Sequence, residues 1–234
     1  VWIQDEEWQE NTNSGLTIKD LEGQKCFVGL DLAKGSDLNA VCLIFPYIKE
    51  GVTACLWRFW ISKDRINQKD MDFTHWVHTG EIKAVDAPVI PALLVASECL
   101  DFFSKYDVQL IGYDRFIATH GAITTFLDAG LNMMPFAQGA ATLSLPTNEV
   151  WEMARRKELE HFDNPVIRWM VGNVVLSYDS NLNCKPDKLK SGRKIDGVMS
   201  LIFAKCAQLE YEHEKAEGLR TGTSIYEKKD MLMI

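Results

Sequence analysis

The sequence predicts an α/β fold built on one mixed β-sheet with helices on both faces. Three observations carry that reading. Three apolar runs, Cys26 to Leu32, Ala40 to Phe45 and Val52 to Ile61, are joined by short turn-like stretches, the pattern of an antiparallel meander. After them, helical and strand-like patterns alternate along the chain, as they do when strands are crossed over by helices. Of the 234 residues, 47% are hydrophobic, enough to fill the core of one large domain or two small ones.

The elements follow in order. Residues 1–24 are polar, with Asn11-Thr-Asn-Ser-Gly15 in the middle, and read as a linker or lead-in that Trp2 and Trp8 could tether to a surface. Residues 25–216 form the folded body. The first strand, Cys26 to Leu32, turns through Gly35-Ser-Asp37, and the second and third are joined by Tyr47-Ile-Lys-Glu-Gly51. A short helix is expected over Asp70 to His78 and an extended segment over Ile82 to Val85. Pro91 to Tyr106 carries an apolar stripe of Leu93, Leu94, Cys99, Leu100 and Phe103 at helical spacing. Val108 to Tyr113 is a buried strand. Thr119 to Ala129 is a helix closed by Gly130. Leu131 to Phe136 is a strand and Thr147 to Leu159 a helix. Asn164-Pro165 opens a helix through Met170, proline being favoured in the first helical position. Val174 to Tyr178 is a strand ending in the turn Asp179 to Asn183. A last helix runs from Asp196 to Ala216, and residues 217–234 form a tail expected to be disordered or held by a partner.

Composition removes several classes of function. No apolar run is long enough to span a membrane, so no membrane partner is expected. Six cysteines without a Cys-x-x-Cys pair lie mostly in apolar strands and helices, which argues against structural zinc or a disulfide framework and for a reducing, cytoplasmic setting. Phosphate-loop, dinucleotide-loop, nucleophile-elbow and zinc-protease motifs are all missing. The formal charge of −8 disfavours a strong nonspecific nucleic-acid binder, yet bases gather at Arg155-Arg-Lys157 and again at Lys185, Lys188, Lys190, Arg193 and Lys194. The chain starts at Val1 rather than Met and is expected to be a fragment of something longer.

Three aspartates stand out. Asp31 ends the first strand, Asp114 ends the strand Val108 to Tyr113, and Asp196 begins the last helix. A charge inside or against a buried strand is costly, so single acids in such places predict a shared site at one sheet edge. Helix capping is the alternative for Asp196, and also for Asp114, although Thr119 is the better cap there. Carboxylates gathered together need a positive partner, and Mg²⁺ or Mn²⁺ prefers such oxygen ligands. Two ions held this way support phosphodiester cleavage. Asp37 is explained by turn chemistry and is a minor candidate for the metal's surroundings. His161 is a minor candidate for a substrate contact. Lys188, Lys190, Arg193 and Lys194 precede Asp196 directly and are expected to follow a DNA backbone beside the metals.

These residues also carry a resemblance. Val28-Gly-Leu-Asp-Leu-Ala33 with Ser36-Asp-Leu38, Ile111-Gly-Tyr-Asp114, Asn164-Pro-Val-Ile-Arg-Trp-Met170 with Gly172-Asn-Val-Val175, and Lys185-Pro-Asp-Lys188 leading to Lys194-Ile-Asp-Gly-Val198 occur in that order over residues 26–207. The set resembles the C-terminal nuclease domain of bacteriophage terminase large subunits. The resemblance implies an RNase H-like fold and a metal-dependent endonuclease that cuts concatemeric viral DNA during genome packaging, with its acidic triad on Asp31, Asp114 and Asp196 and one or two Mg²⁺ or Mn²⁺ ions. It further implies double-stranded DNA, a terminase small subunit, the capsid portal and an N-terminal ATPase domain as partners, in the cytoplasm of an infected bacterial host. Residues 1–24 would then be what remains of an interdomain linker. A transposase-like or resolvase-like nuclease of the same fold and a non-catalytic docking module are the rival readings.

Overall fold

A computed structural model describes residues 2–33, 37–68, 71–115 and 120–218. In chain order they form α1 (Asp5–Gln9), a 3₁₀ turn (Ile18–Leu21), β1 (Lys25–Asp31), β2 (Asn39–Lys49), β3 (Val52–Ser62), a minimal hairpin of β4 (Asn67–Gln68) and β5 (Met71–Asp72), α2 (Thr74–Thr79), β6 (Lys83–Val85) and α3 (Ala92–Phe103). There follow β7 (Asp107–Asp114), α4 (His120–Asp128), β8 (Met133–Phe136), α5 (Ala140–Arg155), β9 (Leu159–Glu160), α6 (Pro165–Asn173), β10 (Leu176–Tyr178), β11 (Cys184–Pro186), α7 (Lys188–Ser191) and α8 (Asp196–Ala216).

The main sheet is mixed, in the order β6-β3-β2-β1-β7-β8, with β9 also beside β3. The meander is present: β1 pairs antiparallel with β2, and β2 with β3. β1 then pairs parallel with β7, and β7 parallel with β8. Its central place explains why β1 is apolar on both sides. Phe27 faces one core cluster, and Val28 and Leu30 face the other. Helix α8 lies on the Phe27 face with α5 and α6 packed against it; α3 and α4 cover the opposite face.

Two glycines fix how α8 sits. A Cβ on Gly29 would lie 1.8 Å from the Ser200 carbonyl oxygen, and one on Gly112 would lie 2.4 Å from that of Phe203. The α8 backbone therefore rests directly on β1 and β7 where side chains are absent. Strand periodicity then decides the next residues. Positions two apart share a face, so Asp31 and Asp114 point to the α8 side, each two residues beyond its glycine.

Several boundaries differ from the sequence expectation. The lead-in is folded rather than extended. Trp2, Ile3, Trp8 and Leu21 are buried, and Asn11 Nδ2 donates to the carbonyls of Glu7 and Ala154 while its Oδ1 accepts from Leu159 N–H. Helix α5 begins seven residues before Thr147 and carries Pro146 inside it. Helix α5 ends at Arg155, and Leu159, the last residue of the expected helix, instead begins β9 with Glu160 beside β3. The strand at Val174 starts at Leu176 and joins a separate hairpin with Cys184–Pro186 rather than the main sheet. Its turn is as expected, with Asp179 accepting from the Asn181 and Asn183 amides. Gly35 and Ser36 of the first turn, Asp70, the Thr119 cap and residues 219–234 lie outside the described residues. All six cysteines are free and buried, and among the described residues no helix is long and apolar enough to cross a membrane.

Candidate active site

Three elements bring the acids to one edge. Leu30 of β1 stands beside Tyr113 of β7 in parallel register, so Asp31 and Asp114 are the next residues of adjacent strands. Asp196 is the first residue of α8, whose seating on the two glycines sets that helix end over the same edge. The bland reading of Asp196 as a cap is not what the structure has: Ile195 occupies the cap position, and no side-chain cap bond is made there. All three acids are buried, at 2%, 4% and 7% exposure for Asp31, Asp114 and Asp196.

Their partners differ. The Lys188 ammonium donates to Asp31 Oδ2 at 2.6 Å and to Asp196 Oδ1 at 2.9 Å, and so sits between the two carboxylates. Asp196 Oδ2 is buried with no hydrogen-bond partner. Asp114 Oδ2 accepts from Gln138 Nε2 at 2.8 Å, and the Gln138 carbonyl accepts from Lys185 Nζ at 2.9 Å. Burial pushes the Asp31 carboxyl up, Lys188 opposes this, and the charges of Asp196 and Asp114 add to it. Lys188 is desolvated, but Asp31 and Asp196 outweigh that and hold it firmly protonated. Among the described residues, no three His, Cys, Asp or Glu side chains already stand as a metal-holding group. Asp31 and Asp196 share one cation, and Asp114 stands beside them on its own partners.

The basic segment divides in a way the sequence did not foretell. Asp187 accepts from the amides of Leu189 and Lys190, and Gly192 closes the turn with φ of 66°. The result is the one-turn helix α7, which turns Lys188 inward to the carboxylates. Lys194 is also engaged, in an ion pair with Asp37. Lys190 and Arg193 stay exposed, and Arg193 lines a cavity of about 550 Å³ together with Asp31, Asp37, Lys188, Leu189 and Asp196. Of the four bases expected on DNA, these two keep a free outward position, while Lys188 and Lys194 point to acids. The other basic cluster is paired elsewhere: Arg156 with Glu158, Lys157 with Glu10, and Arg155 over the Trp151 ring.

His161 is not in this site. β9, which precedes it, pairs with Thr53 and Ala54 at the start of β3, whereas the acids stand level with the other end of that strand. Its ring stacks on Trp8 with centroids 4.5 Å apart, and Nε2 lies 2.8 Å from the Trp8 carbonyl oxygen. A carbonyl only accepts, so Nε2 carries the proton and Nδ1 is left as a buried acceptor with no partner. Gln138 is the residue that sequence reasoning missed. Its signal was position alone: β8 ends at Phe136, which pairs with Asp114, so residue 138 emerges at the acidic edge.

Comparison with known proteins follows the same lines. The profile of the terminase large subunit endonuclease domain matches residues 1–212, which takes in the folded lead-in. Protein YmfN of Escherichia coli K12 is 28% identical over 220 residues, covering 88% of this chain and 48% of that protein. The terminase large subunit of Enterobacteria phage HK97 is 21% identical over 77% of this chain and 37% of its own length. The HK97 large terminase crystal structure superposes with a TM-score of 0.78 at 19% identity, covering 88% of this chain and 43% of that one. The large terminase nuclease of thermophilic phage G20c, solved with bound magnesium, gives a TM-score of 0.52 at 12% identity over 79% of this chain and 83% of its own. The chain thus spans less than half the length of the curated relatives it matches. The fold is RNase H-like, a central mixed sheet flanked by helices.

Proposed function

The chain belongs to the endonuclease-domain family of terminase large subunits, and on that premise we propose that it is a divalent-metal-dependent endonuclease cutting concatemeric viral DNA during genome packaging. The observation that carries this reading is the meeting of Asp31 and Asp196 around one cationic position, on the sheet edge they share with Asp114. Asp31, Asp114 and Asp196 would hold one or two Mg²⁺ or Mn²⁺ ions. The donor set fits: it is all oxygen, and Asp196 Oδ2 is a buried lone-pair site with nothing bound to it. When bound, such ions supply an activated water and stabilise the departing 3′ oxygen.

The protein's own residues supply the rest. β1, β7 and α8 hold the carboxylates on a rigid frame, and Gln138 orients Asp114. Lys188 sits between Asp31 and Asp196 and offsets part of their charge. Its side chain keeps 37% exposure, so it can turn outward and release both oxygens. Arg193 at the cavity and the exposed Lys190 on α7 then offer phosphate contacts, with little base preference. The formal charge of −8 leaves most DNA affinity to partners: an N-terminal ATPase domain, a terminase small subunit and the capsid portal, in the cytoplasm of an infected host.

The test is cleavage of plasmid DNA in Mn²⁺ beside calorimetric Mn²⁺ titration. Asp31→Asn, Asp114→Asn and Asp196→Asn should each lose more than about a hundredfold in cleavage, beyond the 10–100-fold typical of residues that only support a ligand. Lys190→Ala with Arg193→Ala should weaken DNA binding alike on all sequences and reduce the salt slope by about two. A second reading, the non-catalytic docking module, is favoured by the Lys188 clamp and by the lack of a ready three-acid group among the described residues. Mn²⁺ binding that Asp31→Asn removes supports the enzyme. No binding by the unaltered chain supports the module.

A further inference from the structure

The outer edge of the main sheet is interrupted. On its open side, β3 pairs with β9 at Thr53 and Ala54 and with β6 from Trp60 to Ser62. Opposite Cys55 to Phe59 there is no strand among the described residues. The gap is five residues, about 16 Å at the usual strand rise. Thr53 N–H points outward, to the Glu158 carbonyl at 2.7 Å. Alternation along β3 turns the N–H and C=O of Trp57 the same way, and among the described residues no backbone group answers them.

This edge lies along the floor of a trench. Two cavities, of about 730 and 400 Å³, meet there and share Arg58, Gly80, Glu81, Phe102 and Lys105. The end of α3 and the residues after it line one wall, and the turn after α2 and the start of α6 line the other. Unpaired edges are templates for a further strand, and extended peptides add to them through main-chain hydrogen bonds.

We infer that this trench docks an extended segment of a partner protein, added as a strand beside β3, with a carboxylate side chain at its middle. The carboxylate follows from the charges at the shared centre. Arg58 lies 4.8 Å over the Phe102 ring, and neither it nor Lys105 has an acidic partner among the described residues. Glu81, the acid at the shared centre, bonds to the Thr79 hydroxyl, and Glu98 is paired with Lys83 and Trp60, while Glu22, Asp101 and Asp163 each line one cavity and not the shared centre. Phe102 and the half-buried Tyr106 give the segment's alternate side chains an apolar wall. The inference stands apart from the nuclease reading, since none of these residues belongs to the acidic site.

The experiment pans the full chain against a phage-displayed library of random dodecapeptides and repeats the binding with Arg58→Glu, Lys105→Glu. Both side chains are exposed, so this variant should keep the fold. Enriched sequences should alternate in polarity around a central Asp or Glu. Synthetic peptides made from them should lose about tenfold or more in affinity for the variant. The Trp57 amide, exchanging fast in the free chain, should slow when peptide is bound. No enrichment, or affinity unchanged in the variant, overturns the inference. So does a Trp57 amide already protected in the free chain. Protection at every concentration would mean that the chain's own segment fills the trench, and protection only at high concentration would mean a second copy.

Discussion

The same sheet buries polar groups at two opposite edges, by different chemistry. Where β1 and β7 end, three carboxylates are buried with one ammonium between two of them, and one carboxylate oxygen has no partner. Where β9 joins the start of β3, Asn11, Glu160 and His161 are buried as deeply, at 1%, 3% and 2% exposure. There the bonds tie the lead-in to distant parts of the chain, and of the three side chains only His161, at Nδ1, keeps a polar atom without a partner. Asn11 uses both ends of its amide, and Glu160 accepts from Ser14 and from the Phe162 amide. The second edge ties the lead-in to the body. The first keeps like charges together against their own repulsion, which helps neither folding nor packing. Burial alone therefore does not set the two edges apart; the gathering of like charge does.

The largest effect should come from the frame that makes the acidic edge possible. Gly29→Ala sets a Cβ against the Ser200 carbonyl, which is backbone and cannot rotate away. Urea unfolding should show a loss above about 4 kcal/mol, the range reserved for broken packing of this kind, or no folded protein at all. A tolerated alanine would mean that α8 does not rest on β1, and with it the placement of Asp196 would fall.

The comparison also shows what could be read before the fold was known. β1, β2, β3, β7 and α8 were legible because each is long and strongly patterned; α8 begins and ends at the expected residues. The three acids were legible for the same reason, as charges out of place in those patterns. The repeated Gly-x-Asp at Gly29 to Asp31 and Gly112 to Asp114 held a further message that only the helix above it explains. Pro146 hid the first turns of α5, because proline reads as a boundary and here lies inside the helix. Lys188 was assigned to DNA because a lysine's direction on a single turn of helix is set by its surroundings. The Asp187 and Gly192 caps could have announced the turn, though not which way it faces.

A moderate effect should follow from removing the ammonium at the acidic edge. Lys188→Met leaves Asp31 and Asp196 facing each other, and in chelator the chain should lose about 1–3 kcal/mol. That is less than the 3–5 typical of a broken buried pair, because Lys188 keeps about a third of its exposure and solvent screens the cluster. Mn²⁺ should stabilise this variant more than the unaltered chain, and calorimetry should show tighter binding, since no resident cation competes. Equal metal affinity in the two would break the contrast between the edges and make Lys188 an ordinary surface pair.

The smallest effect belongs to the other edge and has the sign of a neutral buried base. Burial against Trp8 holds the His161 imidazole below its ordinary value of 6.5, with the carbonyl of Trp8 and the charges of Asp163 and Glu160 opposing more weakly. The unfolded chain therefore takes up a proton at this residue before the folded one does. The resulting stability is fully present above 6.5 and is lost as pH falls from there through the lower folded value. Melting temperatures from pH 7.5 downward should decline accordingly. In His161→Phe, which keeps an aromatic ring on Trp8 and cannot titrate, this part of the decline should vanish. DNA cleavage by that variant at neutral pH should match the unaltered chain, because the residue stands at the far edge from the acids. A fall in cleavage with the melting curve unchanged would return His161 to the functional site and leave the two edges less distinct than their bonding makes them.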